Sequence, residues 1–311
     1  EYKIKNLCLA GGVALNCVAN GKILKEKIFD KIWIQPAAGD AGGSLGAALA
    51  FWYIEQNKNR KINPNDDMQG SYLGPEYSQS NIEESLKDAN AVFEILNDEE
   101  ILEKTSESLQ NGNAVGWFQG RMEFGPRALG ARSILGDPRS PEMQKNLNLK
   151  VKFRESFRPF APSIIFEDIS EWFELNEKSP YMLLVANINK KIKTEMTENQ
   201  KKLFGIDKLN IKRSSIPAVT HVDYSARVQT VHKETNEKYY KLIQKFKEKT
   251  NIPVIVNTSF NIRGEPIVNT PEEAFNCFIG TELDNLVIGN CFLEKKNKVL
   301  KKQVTINHNL N

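Results

Sequence analysis

The sequence predicts an α/β fold in two domains, and three observations support this prediction. Its 311 residues exceed the usual size of one domain. Residues 3–24 and 31–55 each predict a strand, a glycine turn and a helix. Residues 56–72 are polar and rich in Asn, with Pro and Gly, which is typical of a linker. We therefore expect domains at residues 1–70 and 71–311.

The rest of the chain mixes helices with strands. Thr270-Pro-Glu-Glu273 predicts a capping box with Pro at the first helical position. Pro253 ends an amphipathic helix that begins near Thr235, and a polar stretch at 189–215 predicts an exposed loop or insertion. We expect helices near 80–88, 98–111, 235–251 and 272–279, and strands near 114–118, 253–257 and 285–295.

The composition is that of a soluble globular protein, with 40% hydrophobic and 26% charged residues. The longest apolar run, at 46–54, is well short of the ~20 residues that cross a bilayer, so we expect no membrane span. Four cysteines form no Cys-x-x-Cys pair, which favours free thiols in the cytoplasm. Three histidines without ligand-like spacing argue against zinc. Because the chain begins at Glu1 rather than Met, we expect that further sequence precedes it.

Positive charge is concentrated between residues 121 and 158. This segment holds nine Lys/Arg and four Asp/Glu, a local net charge of +5, whereas the whole chain carries +3. Such a patch favours an anionic ligand, either a phosphate compound or nucleic acid. A guanidinium binds phosphate oxygens in a bidentate manner that lysine cannot reproduce. The alternation of cations and aromatics over residues 152–162 suits either an anion site or a half-buried strand.

Three loops add further candidates. Gly11 and Gly12 lie between a strand and a helix, where bare backbone can approach a phosphate or ribose, or can simply make a tight turn. Asp40 precedes the second helix and could ligate a metal or contact a hydroxyl, although a helix N-cap is the commoner use. Residues 257–261 follow a buried strand and supply hydroxyls and amides, which suit either a phosphate or a turn.

Six motifs occur in order along the chain: Gly11-Gly-Val-Ala-Leu-Asn16, Gly39-Asp-Ala-Gly-Gly43, Glu123-Phe-Gly-Pro-Arg-Ala-Leu-Gly130 with Arg132-Ser-Ile-Leu135, residues 152–162, His221-Val-Asp223 with Ala226-Arg-Val-Gln-Thr230, and Asn257-Thr-Ser-Phe-Asn261 with Gly264-Glu-Pro-Ile267. Together they resemble the O-carbamoyltransferases of nodulation-factor and antibiotic biosynthesis, such as the tobramycin and cephamycin enzymes. The resemblance covers nearly the whole chain. The first half of that family's actin-like domain is absent, and Tyr224 stands where its members often carry Gly.

The resemblance implies a fold and a two-step reaction. The fold would be a partial actin-like (ASKHA) domain followed by a YrdC/Sua-like α/β domain with a twisted mixed sheet. The second domain would form carbamoyl adenylate from carbamoyl phosphate and ATP, with Mg²⁺. The first would pass the carbamoyl group to a hydroxyl of a sugar or related natural product, and the intact transfer domain would hold Fe²⁺ or a similar divalent metal.

The resemblance also implies roles for residues that match the motifs. Crowded phosphates need cations, which preorganised Arg and Lys side chains provide. The implied roles are catalytic for Arg127, Lys152 and Arg158, substrate-binding for Arg121, Arg132, Arg154, His221, Arg227, Ser259 and Asn261, nucleotide-binding for Gly11, Gly12 and Asn16, and metal-binding for Asp40.

Two other functions are compatible with the sequence. A tRNA threonylcarbamoyl-modifying enzyme would use threonine and bicarbonate in place of carbamoyl phosphate. A non-catalytic nucleic-acid-binding module would use the same basic patch, with an affinity that falls linearly on a log–log salt plot. The modest total charge and the lack of an aromatic platform argue against this module, so we do not expect nucleic acid as a partner.

Overall fold

Two sheets organise the residues that the computed structural model describes, 3–63 and 66–295. The smaller sheet pairs two parallel strands, and the larger has nine strands in the order β3-β11-β10-β4-β5-β9-β6-β8-β7. The strands are β1 (Asn6–Leu9), β2 (Lys31–Ile34), β3 (Glu94–Ile95), β4 (Val115–Phe118), β5 (Arg132–Gly136), β6 (Ala161–Ile165), β7 (Leu184–Asn187), β8 (Ser225–Val231), β9 (Val254–Ser259), β10 (Asn285–Ile288) and β11 (Cys291–Glu294).

The large sheet is mixed, which confirms the predicted α/β class. Its β10–β4 and β6–β8 pairs are parallel and its other pairs are antiparallel. The helices are α1 (Cys17–Lys25), α2 (Ala41–Ala50), α3 (Gln79–Asp88), α4 (Asp98–Gln110), α5 (Met143–Asn146), α6 (Ile169–Trp172), α7 (Glu198–Lys201), α8 (Gly205–Leu209), α9 (Glu237–Thr250) and α10 (Pro271–Gly280). None of the described helices is long and apolar enough to cross a membrane.

The central strands are apolar on both faces because helices cover both sides of the sheet. Ile255 of β9 belongs to the cluster formed with α4 and α9, whereas Val254 and Val256 belong to the cluster that includes α3 and α10. Helix α9 buries the face predicted from its spacing, and it ends at Asn251 in a left-handed conformation before Pro253. Thr270 makes the predicted capping box of α10.

The N-terminal segment packs on the edge of the large sheet. Helix α1 lies against β7, and a Cβ atom at Gly21 would come within 2.3 Å of the Val185 carbonyl oxygen. The Asn20 amide donates to the carbonyls of Ala14 and Leu183, at 2.8 and 3.1 Å. By contrast, α2 buries none of its residues and continues into a wide turn in which Phe51, Trp52 and Ile54 are exposed.

Two predicted loops are more ordered than expected. Residues 66–72 belong to the folded body, since Met68 and Ser71 are buried and Asp66 accepts hydrogen bonds from the Tyr181 hydroxyl and two backbone amides. The linker prediction was therefore wrong over this half. The stretch at 189–215 is largely exposed, as predicted, but it contains short helices and ends at the buried Arg213, whose guanidinium donates to four carbonyl oxygens.

We predict that Gly130→Ala destabilises the fold by about 2 kcal/mol or more. Gly130 has a φ of 108°, and an added Cβ atom would lie 2.2 Å from the buried Tyr239 ring. Gly280→Ala is the matched control, because a Cβ atom there meets nothing within 4 Å. Urea unfolding of both variants measures the effect. Equal unfolding free energies for the two would show that the loop around Gly130 can move away from Tyr239.

Candidate anion-binding site

One carboxylate shapes the arginine-rich connection between β4 and β5, residues 119–131. Glu123 is buried, and its Oε1 accepts hydrogen bonds from the backbone amides of Leu129 at 2.6 Å, Ala131 at 2.8 Å and Arg132 at 3.4 Å. A charged acceptor makes stronger hydrogen bonds with amides than a neutral one does. The loop therefore folds back on Glu123 and is held in one conformation.

Side chains from outside the loop donate hydrogen bonds to two of its carbonyl groups. The Leu129 carbonyl accepts from the Tyr72 hydroxyl at 2.8 Å and from the Gln229 amide at 2.7 Å. The Ala128 carbonyl accepts from the Asn257 amide at 3.3 Å. Buried backbone polar groups must be paired, so these contacts satisfy the residues that immediately follow Arg127.

Arg127 and Arg227 form the centre of the site. The Nε atoms of both guanidinium groups are buried and have no hydrogen-bond partner among the described residues. Burial lowers the pKa of Arg227 to about 10, the charge of Arg127 acts in the same direction, the Cys17 thiol opposes it, and Arg154 adds a smaller repulsion. Three arginines thus share one electrostatic environment. Buried donors without partners beside like charges are the arrangement that binding of an anion would satisfy.

Lys152 lies on the β9 side of this region, together with Ser259 and Asn261, as their motif positions predicted. Lys152 is 3% exposed, and its ammonium donates to the Ser259 carbonyl, to the Ser259 hydroxyl at 3.2 Å, and to the Asn261 carbonyl and side-chain oxygens at 3.0 and 2.8 Å. Burial lowers the pKa of Lys152 to about 7, and the charge of Arg154 acts in the same direction. The side chain therefore ties the loop after β9 to the segment that carries Arg154.

Arg154 and Arg158 differ in how firmly they are held. Arg154 donates from Nε to Asn148 at 2.7 Å and lies 5.1 Å from the Phe160 ring centre, and burial followed by the charge of Arg158 lowers its pKa. Arg158 is exposed and pairs with Glu155 at 2.9 Å. An exposed ion pair of this kind adds little to stability, so Arg158 can exchange Glu155 for another anion.

Arg121 and Arg132, which were predicted to bind substrate, contact other parts of the protein instead of Arg127 and Arg227. Arg121 is exposed, donates to the Gly74 carbonyl and lies 3.5 Å from the Glu76 carboxylate. Arg132 is fully buried and donates to the carbonyls of four residues while stacking on Phe118 at 3.5 Å. Their contacts hold the loop and its neighbours in place, and they give no support to a substrate-binding role for either residue.

His221 borders a separate depression of about 560 Å³ that Met196, Lys208, Val222 and Asp223 also line. Its Nδ1 lies 3.1 Å from the Ser225 hydroxyl. Burial lowers the pKa of His221, Asp223 opposes the shift, and Arg227 and Arg213 add to it. The charge of Arg227 therefore acts on the His221 imidazole, although the hydrogen-bond partner of that imidazole is Ser225.

The glycine turn leads into helix α1, whose first residue interacts with Arg227. Gly11 has a φ of 93°, and both Gly11 and Gly12 are exposed. Asn16 uses its side chain to cap α1, accepting from the Ala19 amide at 3.1 Å. The following residue, Cys17, is the one that interacts with Arg227. The turn that was predicted to bind a nucleotide is therefore close to the predicted phosphate site.

Asp40 does not cap α2, contrary to the commoner use expected for it. It precedes the helix, is exposed and makes no side-chain capping hydrogen bond. Within residues 3–63 and 66–295, no group of three or more His, Cys, Asp or Glu side chains is placed to hold a metal ion. One carboxylate does not make a metal site, so the described residues do not fit a metal centre on their own.

Comparison with known proteins identifies the family. Residues 1–49 match the family described as carbamoyltransferase N-terminus, and residues 106–295 match carbamoyltransferase C-terminus. The chain belongs to the carbamoyltransferase family. It is 55% identical to the Synechocystis protein sll1178 over 97% of this chain and 50% of that protein. It is 41% identical to the nodulation protein NolO of Bradyrhizobium diazoefficiens over 93% of this chain and 49% of that protein, and 40% identical to NolNO of Sinorhizobium fredii over 94% and 40%.

This carbamoyltransferase chain thus spans about half the length of the relatives it matches. Among solved structures it has a distant likeness to full-length HypF in its phosphate- and nucleotide-bound form. The TM-score is 0.40 at 16% identity, over 61% of this chain and 25% of HypF. A likeness this weak carries no argument about the site.

Three residues that shape the candidate site received no role from the sequence: Glu123, Gln229 and Cys17. Glu123 and Gln229 do lie inside motifs, four residues before Arg127 and two after Arg227. In a strand, residues two apart share a face, so Gln229 was a detectable neighbour of the same site. Nothing local indicates that Glu123 reaches backbone amides six to nine residues away.

We predict that the stability of the carbamoyltransferase chain depends on Lys152 between pH 7 and 9.5. The pKa of Lys152 falls from its ordinary 10.5 to about 7 in the folded state, so the unfolded chain binds more protons in this window. The free energy of unfolding therefore rises with pH. The difference in unfolding free energy between wild type and Lys152→Met should shift in favour of wild type from pH 7 to 9.5. A constant difference would mean that Lys152 stays protonated when folded.

We predict that Arg227→Met raises the unfolding free energy of the ligand-free carbamoyltransferase chain by about 1 kcal/mol, because it removes a buried charge repelled by Arg127. The same variant should lose the thermal stabilisation that pyrophosphate gives to wild type. Arg121→Met, at an exposed ion pair, is the control and should keep that stabilisation. Retention of the full pyrophosphate effect by Arg227→Met would place the anion elsewhere.

Proposed function

We propose that the chain is part of an ATP-dependent O-carbamoyltransferase and holds its activation site. One observation carries this proposal: Arg127, Arg227 and Arg154 share one environment, with two buried guanidinium nitrogens that lack partners among the described residues. In a chain of the carbamoyltransferase family, the anions that suit this centre are carbamoyl phosphate and ATP, the latter as its Mg²⁺ complex.

The reaction we propose converts carbamoyl phosphate, ATP and one water into carbamoyl adenylate, phosphate and pyrophosphate. Water first cleaves carbamoyl phosphate to carbamate and phosphate. A carbamate oxygen then bonds to the α-phosphorus of ATP as the bond from that phosphorus to the β-phosphate oxygen breaks, and pyrophosphate leaves with the electron pair. Negative charge accumulates on the leaving oxygens, and fixed cations in a partly buried site stabilise such charge more than water does. The backbone that follows Arg127 is held by hydrogen bonds to the Ala128 and Leu129 carbonyls before any ligand binds.

Lys152, Arg158, Ser259 and Asn261 have supporting roles in the proposed site. Lys152 holds Ser259 and Asn261 in one cluster. The Ser259 hydroxyl lies 2.7 Å from the Asn261 side-chain oxygen. Arg158 is exposed and held only by Glu155, so it can close over a bound anion by exchanging partners. These residues would orient the phosphates, whereas Arg127 and Arg227 would carry most of the charge stabilisation.

We propose that a second site transfers the carbamoyl group to a hydroxyl of a sugar or related small molecule. The acceptor class is the one implied by the resemblance to O-carbamoyltransferases of nodulation-factor and antibiotic biosynthesis, and two relatives of the chain are named nodulation proteins. Gly11, Gly12 and Asn16 would line its nucleotide loop, and their closeness to Cys17 and Arg227 would bring the two sites near each other. Asp40 would be one metal ligand in the whole protein. The described residues alone do not form the site of that metal.

The test is pyrophosphate release that depends on carbamoyl phosphate. With ATP and Mg²⁺, we expect the chain to release pyrophosphate only when carbamoyl phosphate is present, and Arg127→Ala to lower the rate by about a hundredfold. Arg121→Ala is the control and should retain the rate, because its contacts are with Gly74 and Glu76. Each variant must unfold cooperatively like wild type.

Two results would contradict the proposal. One is an unchanged rate in a folded Arg127→Ala variant, since another site would then perform the reaction. The other is release that requires threonine and bicarbonate instead of carbamoyl phosphate, which would identify a threonylcarbamoyl-adenylate enzyme.

A further inference from the structure

A buried polar cluster lies beneath the arginine-rich loop. Gln229 is 2% exposed, and its side-chain oxygen accepts from the Ser163 hydroxyl at 2.6 Å and from the Asn257 amide at 2.8 Å. Its amide nitrogen donates to the Leu129 carbonyl at 2.7 Å. The glutamine thus joins three strands of the sheet, β6, β8 and β9, to the loop that carries Arg127.

Gln229 and Arg227 lie on the same face of β8, because they are two residues apart in one strand. On the loop, Arg127 and Leu129 are also two residues apart. Gln229 contacts Leu129, and Arg227 senses the charge of Arg127. The loop is therefore joined to β8 by a hydrogen bond at Leu129 and Gln229, and two residues earlier on each segment the charge of Arg127 acts on Arg227.

The hydrogen bond between Gln229 and Leu129 opposes the effect of the repulsion between Arg127 and Arg227. The two guanidinium groups carry like charges in a partly buried place, and without a constraint the loop would relieve the repulsion by moving Arg127 away. A hydrogen bond to a backbone carbonyl two residues further on resists that movement. The side chain that makes it must donate to the loop and accept from Ser163 and Asn257 at once, which an amide does and an apolar or purely accepting side chain does not.

We propose that Gln229 is a positioning residue that holds Arg127 beside Arg227 and so preorganises the anion-binding site. This inference rests on the proposed function, in which those two arginines bind the phosphate groups. Gln229 itself does not contact the ligand. It acts through the Leu129 carbonyl, and its effect on binding therefore depends on the presence of the Arg127 side chain.

The first test measures binding of inorganic pyrophosphate by calorimetry to wild type and to Gln229→Met. Methionine keeps the length of the side chain but cannot donate to Leu129, and we expect affinity to fall about tenfold. Ser163→Ala is the matched control, because it removes two hydrogen bonds from the same buried cluster, those with Gln229 and Asn257, without touching the loop. We expect it to lower stability while leaving affinity within about twofold of wild type. Equal losses of affinity in both variants would reduce Gln229 to a general structural role.

The second test is a double-mutant cycle with Arg127→Ala. If Gln229 acts through Arg127, then Gln229→Met should have almost no further effect on pyrophosphate affinity once Arg127 is removed. Additive losses in a folded double variant would overturn the positioning role. If Arg127→Ala alone leaves affinity unchanged, the anion site itself is wrongly placed and the proposed function fails. If Arg127→Ala weakens binding but Gln229→Met does not, only the positioning role fails.

Discussion

The Glu123 carboxylate determines the shape of the site, because it accepts hydrogen bonds from the backbone amides of Leu129, Ala131 and Arg132. Loops of this length are usually free to move, and this one spans 119–131 between neighbouring strands of the sheet. The buried Glu123 carboxylate gives the loop a fixed conformation. This conformation sets the position of Arg127 and the burial of Arg132.

Arg132 is fully buried, whereas Arg127 and Arg227 are partly buried, and the contacts of their guanidinium groups differ. Arg132 satisfies its guanidinium with carbonyl oxygens and stacks on Phe118, and its Nε is its one buried nitrogen that lacks a partner among the described residues. Arg127 and Arg227 have buried Nε atoms without partners in the described chain, and they repel each other. Buried guanidinium groups that repel each other and lack partners destabilise the fold, and binding of a ligand can offset this destabilisation. The presence or absence of protein partners therefore distinguishes a structural arginine from a candidate binding arginine better than sequence position does.

The sequence was a good guide wherever a local rule operates. The period of α9, the capping box of α10, the apolar strand β9 and the approximate position of most helices all follow from spacing, caps and proline chemistry. Motif positions also placed Lys152, Ser259 and Asn261 together. The interpretation of residues 66–72 as a linker failed because their contacts are with Tyr181 and Phe124, which are distant in sequence.

Long-range contacts also explain why the sequence alone could not distinguish structural arginines from candidate binding arginines. A charge excess over 121–158 is a property of composition, and it treats Arg121, Arg127 and Arg132 alike. The structure separates them. Glu76 and Gly74 hold Arg121, and carbonyl oxygens hold Arg132, whereas Arg127 has a buried Nε without a partner in the described chain and its charge acts on Arg227. The charge excess of the segment is thus only partly available to a ligand. In the proposed anion site, the interaction of Arg127 with Arg227 depends on contacts between segments about a hundred residues apart, which no count of charges along the chain contains.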